Sequence, residues 1–239
     1  MQWRERDGAR WLEADLGDGR AAFSTRLGGV SEPPFDSLNL GLLTDDAEAA
    51  VVENRGRLAA ALGFEPDRIV FSRQVHGVRL VDHRIESPEG VVEADGHVVS
   101  EPGLAPLVFV ADCLPVALAG PGGVAIVHAG WRGLAGGILA AGAEAVEATR
   151  AAIGPGIGPC CYEVGEEVLS AFSGLGEGVA RGRMLDLPEA ARRLLAAAGV
   201  GQIESAGLCT SCEEELFFSH RRDEGRTGRQ AGIAWIEGG

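Results

Sequence analysis

Two unbroken apolar runs, Leu107-Val108-Phe109-Val110-Ala111 and Val124-Ala125-Ile126-Val127, dominate the middle of the chain. Short runs without polar alternation are the mark of strands covered on both faces. Weaker strand signals fall at Arg20 to Thr25, Ile69-Val70-Phe71, Val78 to Val81, Ala151-Ala152-Ile153-Gly154 and Ile233-Ala234-Trp235-Ile236. From Ala47 to Leu62 the spacing turns helical, with Val51, Leu58 and Leu62 on one stripe, Thr44-Asp45 as N-cap and Gly63 as stop. A second helix is predicted from about Leu134 to Thr149, after the turn Gly130-Trp131-Arg132-Gly133. A third runs from Leu187 to Ala198, with a proline in its first turn. Strands and helices mix without strict βαβ alternation. The pattern predicts an α/β chain with mixed sheets, and 239 residues fit a single domain spanning 1–239.

Composition removes several function classes. The longest membrane candidate, Leu104 to Gly120, carries Asp112 and Cys113 at its centre, so no membrane span is expected. The N-terminus lacks an apolar leader core, which points to a cytoplasmic protein. A net charge of −14 argues against a sequence-independent grip on nucleic acid. All 21 basic residues are arginine, which excludes a Walker A lysine, a lysine Schiff base and an SxxK nucleophile. Five cysteines, an odd number, argue against a disulfide framework. Cys209-Thr210-Ser211-Cys212 is a lone CxxC. Cys160 and Cys161, if extended, point to opposite sides and cannot complete it, so these four read as packing thiols. Gly154-Pro155-Gly156-Ile157-Gly158-Pro159 has proline where a dinucleotide loop needs its third glycine and reads as a turn.

Polar residues at the ends of buried strands are the better candidates for chemistry, because a rigid strand fixes the side chain while the loop admits substrate. His76 lies in Gln74-Val75-His76-Gly77, Cys113 directly follows one apolar run and His128 another. Two imidazoles and a thiolate suit Zn²⁺ with a fourth position left for water. Taken singly, each has an ordinary packing role as the alternative.

The motifs also resemble one family. They are Phe23-Ser24-Thr25-Arg26-Leu27-Gly28-Gly29-Val30-Ser31, Leu38-Asn39-Leu40-Gly41, Gln74-Val75-His76-Gly77, Ala94-Asp95-Gly96 and Ala111-Asp112-Cys113-Leu114-Pro115. Val127-His128-Ala129-Gly130-Trp131-Arg132-Gly133, Ile153-Gly154-Pro155 and Phe218-Ser219-His220-Arg221-Arg222 complete the set. In this order they resemble the laccase-domain or polyphenol oxidase group, also called the peptidoglycan editing factor or purine nucleoside phosphorylase family. His220 departs from it, standing where many relatives carry tyrosine. The resemblance implies a four-layer α/β/β/α sandwich with mixed sheets and a metal site at His76, Cys113 and His128. It offers three activities: copper-dependent phenol oxidation, phosphorolysis of adenosine, inosine and methylthioadenosine with adenosine deamination, and removal of serine from a muramoyl nucleotide.

The residues help to choose. Five histidines, two of them at the first site, cannot build the trinuclear cluster of a multicopper oxidase, although copper can occupy an N/S site in vitro. Zinc lowers the pKa of bound water towards neutrality, which suits attack at C6 of adenine, with Asp112 as a candidate proton acceptor. Phosphorolysis needs an anion site, for which the turn Gly130 to Gly133, Arg132 and Arg26 are the candidates. A metal-free alternative pairs Cys113 as nucleophile with His128 as base, as an amidase would. The expected partners are purine nucleosides and phosphate, with no nucleic acid and no membrane. Oligomeric state has no signal in the sequence.

Overall fold

A computed structural model describes residues 1–83, 90 and 92–237. The strands are β1 (Gln2–Arg6), β2 (Ala9–Asp15), β3 (Gly19–Ser24), β4 (Ile69–Val70), β5 (Leu80–Asp82), β6 (Gly96–Val99), β7 (Ala105–Val110), β8 (Leu114–Gly120) and β9 (Gly123–Ala129). They continue with β10 (Arg150–Ile153), β11 (Ala180–Arg181), β12 (Met184–Leu185), β13 (Gln202–Ser205) and β14 (Gln230–Ile236). The helices are α1 (Glu48–Leu62), α2 (Trp131–Gly136), α3 (Ile138–Val146), α4 (Glu166–Phe172) and α5 (Leu187–Ala197).

One sheet has the order β1-β2-β3-β14-β7-β4 and the other β13-β10-β8-β9-β6-β5, with β11 and β12 as a small separate pair. Both large sheets are mixed. β4–β7, β5–β6 and β10–β13 are parallel, and the remaining pairs antiparallel. Alternation along the strands builds the layers. In β9, Val124 and Ile126 face the other sheet with Phe23, Val108 and Ala234, while Ala125, Val127 and Ala129 pack under Leu134, Ile138, Leu139 and Leu195 of the helices. The outer face of the first sheet is covered by α1, through Leu58 and Ala61 against Trp11, Ala22 and Ile233. The result is the expected four-layer α/β/β/α sandwich.

The local readings differ in several places. α1 begins after Ala47, with no side-chain cap, so Thr44-Asp45 is not its N-cap; Thr44 instead donates to the Gly41 carbonyl and accepts from Asn39. The single helix expected from Leu134 is two helices, broken at Gly137, whose φ of 94° is left-handed. β1 escaped the hydrophobic pattern because every one of its residues is exposed. The sheets pack tightly enough that a Cβ on Gly232 would stand 2.4 Å from Pro115 Cβ on the facing strand. Gly232→Ala is therefore expected to cost about 1–3 kcal/mol by overpacking, read from the urea midpoint; an unchanged midpoint would show that the sheets part freely there.

Candidate active site

The hairpin of β8 and β9 delivers two of the three expected residues. Its register pairs Leu114 with Ala129 and Pro115 with His128, so Cys113, just before β8, sits across from Gly130 at the same end of the sandwich. A Cβ on Gly130 would lie 2.9 Å from Cys113 Sγ and 3.2 Å from His76 Cδ2. Glycine lets the backbone approach the pair closely. His76 arrives from the loop before β5, which is docked by Gln74: its side chain donates to the Phe109 carbonyl at 2.8 Å and accepts from the Phe109 amide at 2.7 Å, as a strand neighbour would.

Asp95 orders the whole site. Its Oδ1 accepts from the His76 amide (2.9 Å) and from His128 Nδ1 (2.8 Å), and its Oδ2 from the Gly77 (2.7 Å) and Val75 (3.1 Å) amides. It is fully buried. Burial alone would raise its pKa, but the bonds from His128, Gly77 and Val75 outweigh it and hold the carboxylate ionised. With Nδ1 so engaged, His128 turns Nε2 towards the sulfur. The ligand atoms of His76, Cys113 and His128 all lie within 4.8 Å of one another, and the imidazoles meet edge to face with centroids 4.8 Å apart. Burial opposes charge on both Cys113 and His128, yet each stabilises the other. The thiol falls to about 6 and the imidazole rises to about 9, with bonds from His76 to the sulfur and from His128 to Asp95 adding to the effect. Their mutual attraction thus favours the thiolate–imidazolium form of the metal-free pair. This anionic, borderline-soft donor set could hold a metal ion.

Backbone strain marks the same place. His76 (φ 59°) and Asp112 (φ 84°) are non-glycine residues in left-handed conformations, each worth about 1–3 kcal/mol of strain. Asp112 Oδ1 accepts from Thr210 Oγ1 at 2.6 Å and its Oδ2 from the Arg221 amide at 2.7 Å, so its two oxygens clamp loops together beside Cys113.

The three residues open into a cavity of about 770 Å³, within the span usual for small-molecule sites. Phe71, Phe109, Trp131 and Tyr162 give it aromatic walls, and Arg55, Arg132, Arg221 and Arg229 line it. The Arg132 guanidinium stacks 4.4 Å over Trp131 and has no hydrogen-bond partner among the described residues. Arg55 lies over Phe71 and Phe109, where burial lowers it to about 10. Burial also lowers the pKa of Arg229, opposed by the negative Cys113 and Asp112. Sequence reasoning missed Arg55, Arg229 and Asp95. Asp95 had a signal in the motif Ala94-Asp95-Gly96, which gave it no role; the arginines had none, since their convergence is tertiary.

Arg26 is not in this cavity. Its guanidinium is spent on the Asp36 carbonyl (2.6 Å), Asp36 Oδ1 (3.0 Å) and the Glu214 carbonyl (3.1 Å). It lines a separate, more open hollow in which Asp36, Glu214, Glu215 and Asp223 offset the positive charge. Gly130 and Gly133 do not line the cavity either. Both are buried, and Gly133 is packed against the Gly77 and His128 carbonyls.

Residues 20–237 match the family model described as multi-copper polyphenol oxidoreductase laccase. The chain belongs to this family. Among its relatives, the protein named purine nucleoside phosphorylase YfiH of Escherichia coli (strain K12) is 42% identical over 229 residues, 90% of this chain and 93% of that one. A purine nucleoside phosphorylase of Deinococcus radiodurans is 45% identical over 222 residues, covering 87% and 85%. The crystal structure of YlmD from Geobacillus stearothermophilus superposes with a TM-score of 0.87 at 37% identity, covering 98% of each chain. The laccase part of the family name finds little support in this member's histidines. His83 and His97 stack on each other with Nε2 and Nδ1 3.2 Å apart, and His97 also contacts Ser72 Oγ. Burial, helped by His83, drops His97 to about 3 and keeps it neutral. His220 lines the cavity, but neither group of clustered metal-binding side chains among the described residues includes it, His83 or His97.

Asp95→Asn tests the site's hub. An amide nitrogen in place of either oxygen would face backbone N–H groups, so the variant is expected to lose about 1–3 kcal/mol of stability and its His128 pKa should fall towards the ordinary imidazole value. Denaturant melts and an NMR titration of the metal-free protein measure both. A His128 titration unchanged near 9 would remove Asp95 from that role.

Proposed function

We propose that this chain is a zinc-dependent purine nucleoside phosphorylase, and that it also deaminates adenosine. The observation that carries the reading is that His76, Cys113 and His128 meet at the foot of one cavity walled by aromatic rings and arginines. The names of the relatives support the substrate class. Bound at these three residues, zinc supplies Lewis acidity and water activation.

The chain's own residues do the rest. Arg132, with its guanidinium unpaired among the described residues, is suited to hold a phosphate oxygen pair, and desolvated Arg229 and Arg55 raise the positive potential around it. Phe71, Phe109 and Trp131 offer faces for the flat purine. In the reaction the C1′–N9 bond of the nucleoside breaks and a bond from C1′ to a phosphate oxygen forms, giving the free base and ribose 1-phosphate. Asp95 keeps His128 aimed through Nε2, and Asp112 holds the Thr210 and Arg221 loops against the site. The metal-free amidase alternative shares Cys113, His128 and Asp95. It gives His76 no task, whereas a metal uses both imidazoles.

Two results are expected. Zinc must expel the His128 proton to bind, because that imidazole stays charged up to about pH 9. The sign is therefore an affinity that rises with pH, about tenfold per unit from neutrality to about 9, then levels. Calorimetry in buffers of different ionisation enthalpy should count the released proton; a flat profile would remove His128 from the ligand set. In the second, adenosine should yield adenine only when phosphate is present. Arg132→Ala should lower that turnover efficiency about 10- to 150-fold, the worth of a charged bidentate contact of about 1.5–3 kcal/mol, while sparing deamination, which consumes no phosphate. Chromatography of the products decides it. Release of serine from a muramoyl-serine nucleotide, with no free base ever formed, would overturn the proposal.

A further inference from the structure

We propose that Cys160, Cys161, Cys209 and Cys212 form a second metal centre, a tetrathiolate site that takes one zinc ion and fixes the loops beside the catalytic cavity. It is independent of the functional reading above. The sequence expectation, that adjacent cysteines point apart, fails because the segment is not extended. The amides of Cys161 and Tyr162 both donate to the Gly158 carbonyl, at 3.1 Å each, and this tight turn brings both thiols to one side. The CxxC is a turn as well, with the Cys212 and Glu213 amides donating to the Cys209 carbonyl at 3.1 and 3.0 Å. Backbone bonds then hold the two turns together: Gly156 N to the Leu208 carbonyl at 3.3 Å and Thr210 N to the Gly156 carbonyl at 3.1 Å.

All four sulfurs lie within 4.8 Å of one another. Cys212 Sγ stands 3.4 Å from Cys160 Sγ and 3.5 Å from Cys161 Sγ. The edge of a tetrahedron with zinc–sulfur bonds of about 2.3 Å is about 3.8 Å, so small rotations of these side chains complete it. A single disulfide would use only two of the four thiols, whereas one ion uses all four. The Gly158 amide donates to Cys209 Sγ at 3.2 Å, the kind of bond that steadies a thiolate ligand. Four thiolates form a soft, closed set that selects zinc in a structural role. On binding, four S–H protons pass to solvent and no electron moves.

Its place in the fold gives it a task. None of the four cysteines lines the cavity, so the ion would have no substrate. Thr210, inside the CxxC, is the residue that donates to Asp112 Oδ1, and Tyr162, next to Cys161, is a cavity wall. Zinc here would staple the two loops that hold Asp112 and Tyr162 in place.

The test is metal analysis of protein purified without chelator. Wild type should carry about two zinc equivalents per chain, and His76→Ala/His128→Ala about one. X-ray absorption at the zinc edge of that double variant should show sulfur as the only scatterer in the coordination shell. Cys209→Ser/Cys212→Ser should lose one equivalent and keep the other. Should this variant fail to fold, the absorption spectrum and alkylation of unreduced, denatured wild type decide, with all five thiols expected free. Absence of zinc from the histidine double variant, nitrogen in its shell, or recovery of these cysteines as disulfides would overturn the proposal. Failure of nucleoside phosphorolysis would leave it standing.

Discussion

A single buried carboxylate holds this site in shape. Asp95 takes three amide protons from Val75-His76-Gly77 and one from His128, so the loop that brings one imidazole and the strand that brings the other are tied to the same two oxygens. Four donors on one carboxylate make its ionised form the stable one despite burial, and that charge in turn keeps His128 basic. Asp112 does comparable work on the other side, binding Thr210 and the Arg221 backbone close to Cys113. The reacting side chains are thus few, and most of the surrounding polar groups serve to keep them still.

The charge distribution follows the same economy. A chain of net charge −14 repels anions at long range, yet the cavity gathers Arg55, Arg132, Arg221 and Arg229. Several arginines elsewhere are paired with carboxylates, as Arg26 is with Asp36 and as Arg192 and Arg193 are with Glu189, which they share. Positive side chains gathered in one cavity give an anionic ligand a place to go. Aromatic faces under Arg55 and Arg132 hold the guanidinium planes without using up their donors.

Much of this was legible in the sequence, for definite reasons. Buried strands announce themselves by continuous apolar runs, so β7 and β9 were visible, and residues at strand ends made Cys113 and His128 stand out. β1, exposed throughout, left no such trace. Asp95 was hidden because its function lies in what it accepts, which depends on a loop about 20 residues away in the chain folding over it. Arg26 lies outside the cavity because a glycine-rich turn is as good for meeting a neighbouring backbone as for meeting an anion. The cysteines were misjudged on one assumption, extended geometry at Cys160-Cys161, and a turn reverses the conclusion.

The hairpin of β8 and β9 has a consequence of parity. Side chains along β9 alternate between the helices and the facing sheet: Ala125, Val127 and Ala129 on one side, Val124, Ile126 and then His128 on the other. Lengthening the tip near Pro121 and Gly122 leaves that count untouched, however many residues are added. One residue inserted within β9 ahead of His128 would swing the imidazole into the helix layer and away from Asp95, whereas two would return it to the correct side, displaced along the strand. The site at one end of the sandwich therefore depends on an even-or-odd count along the whole of one strand.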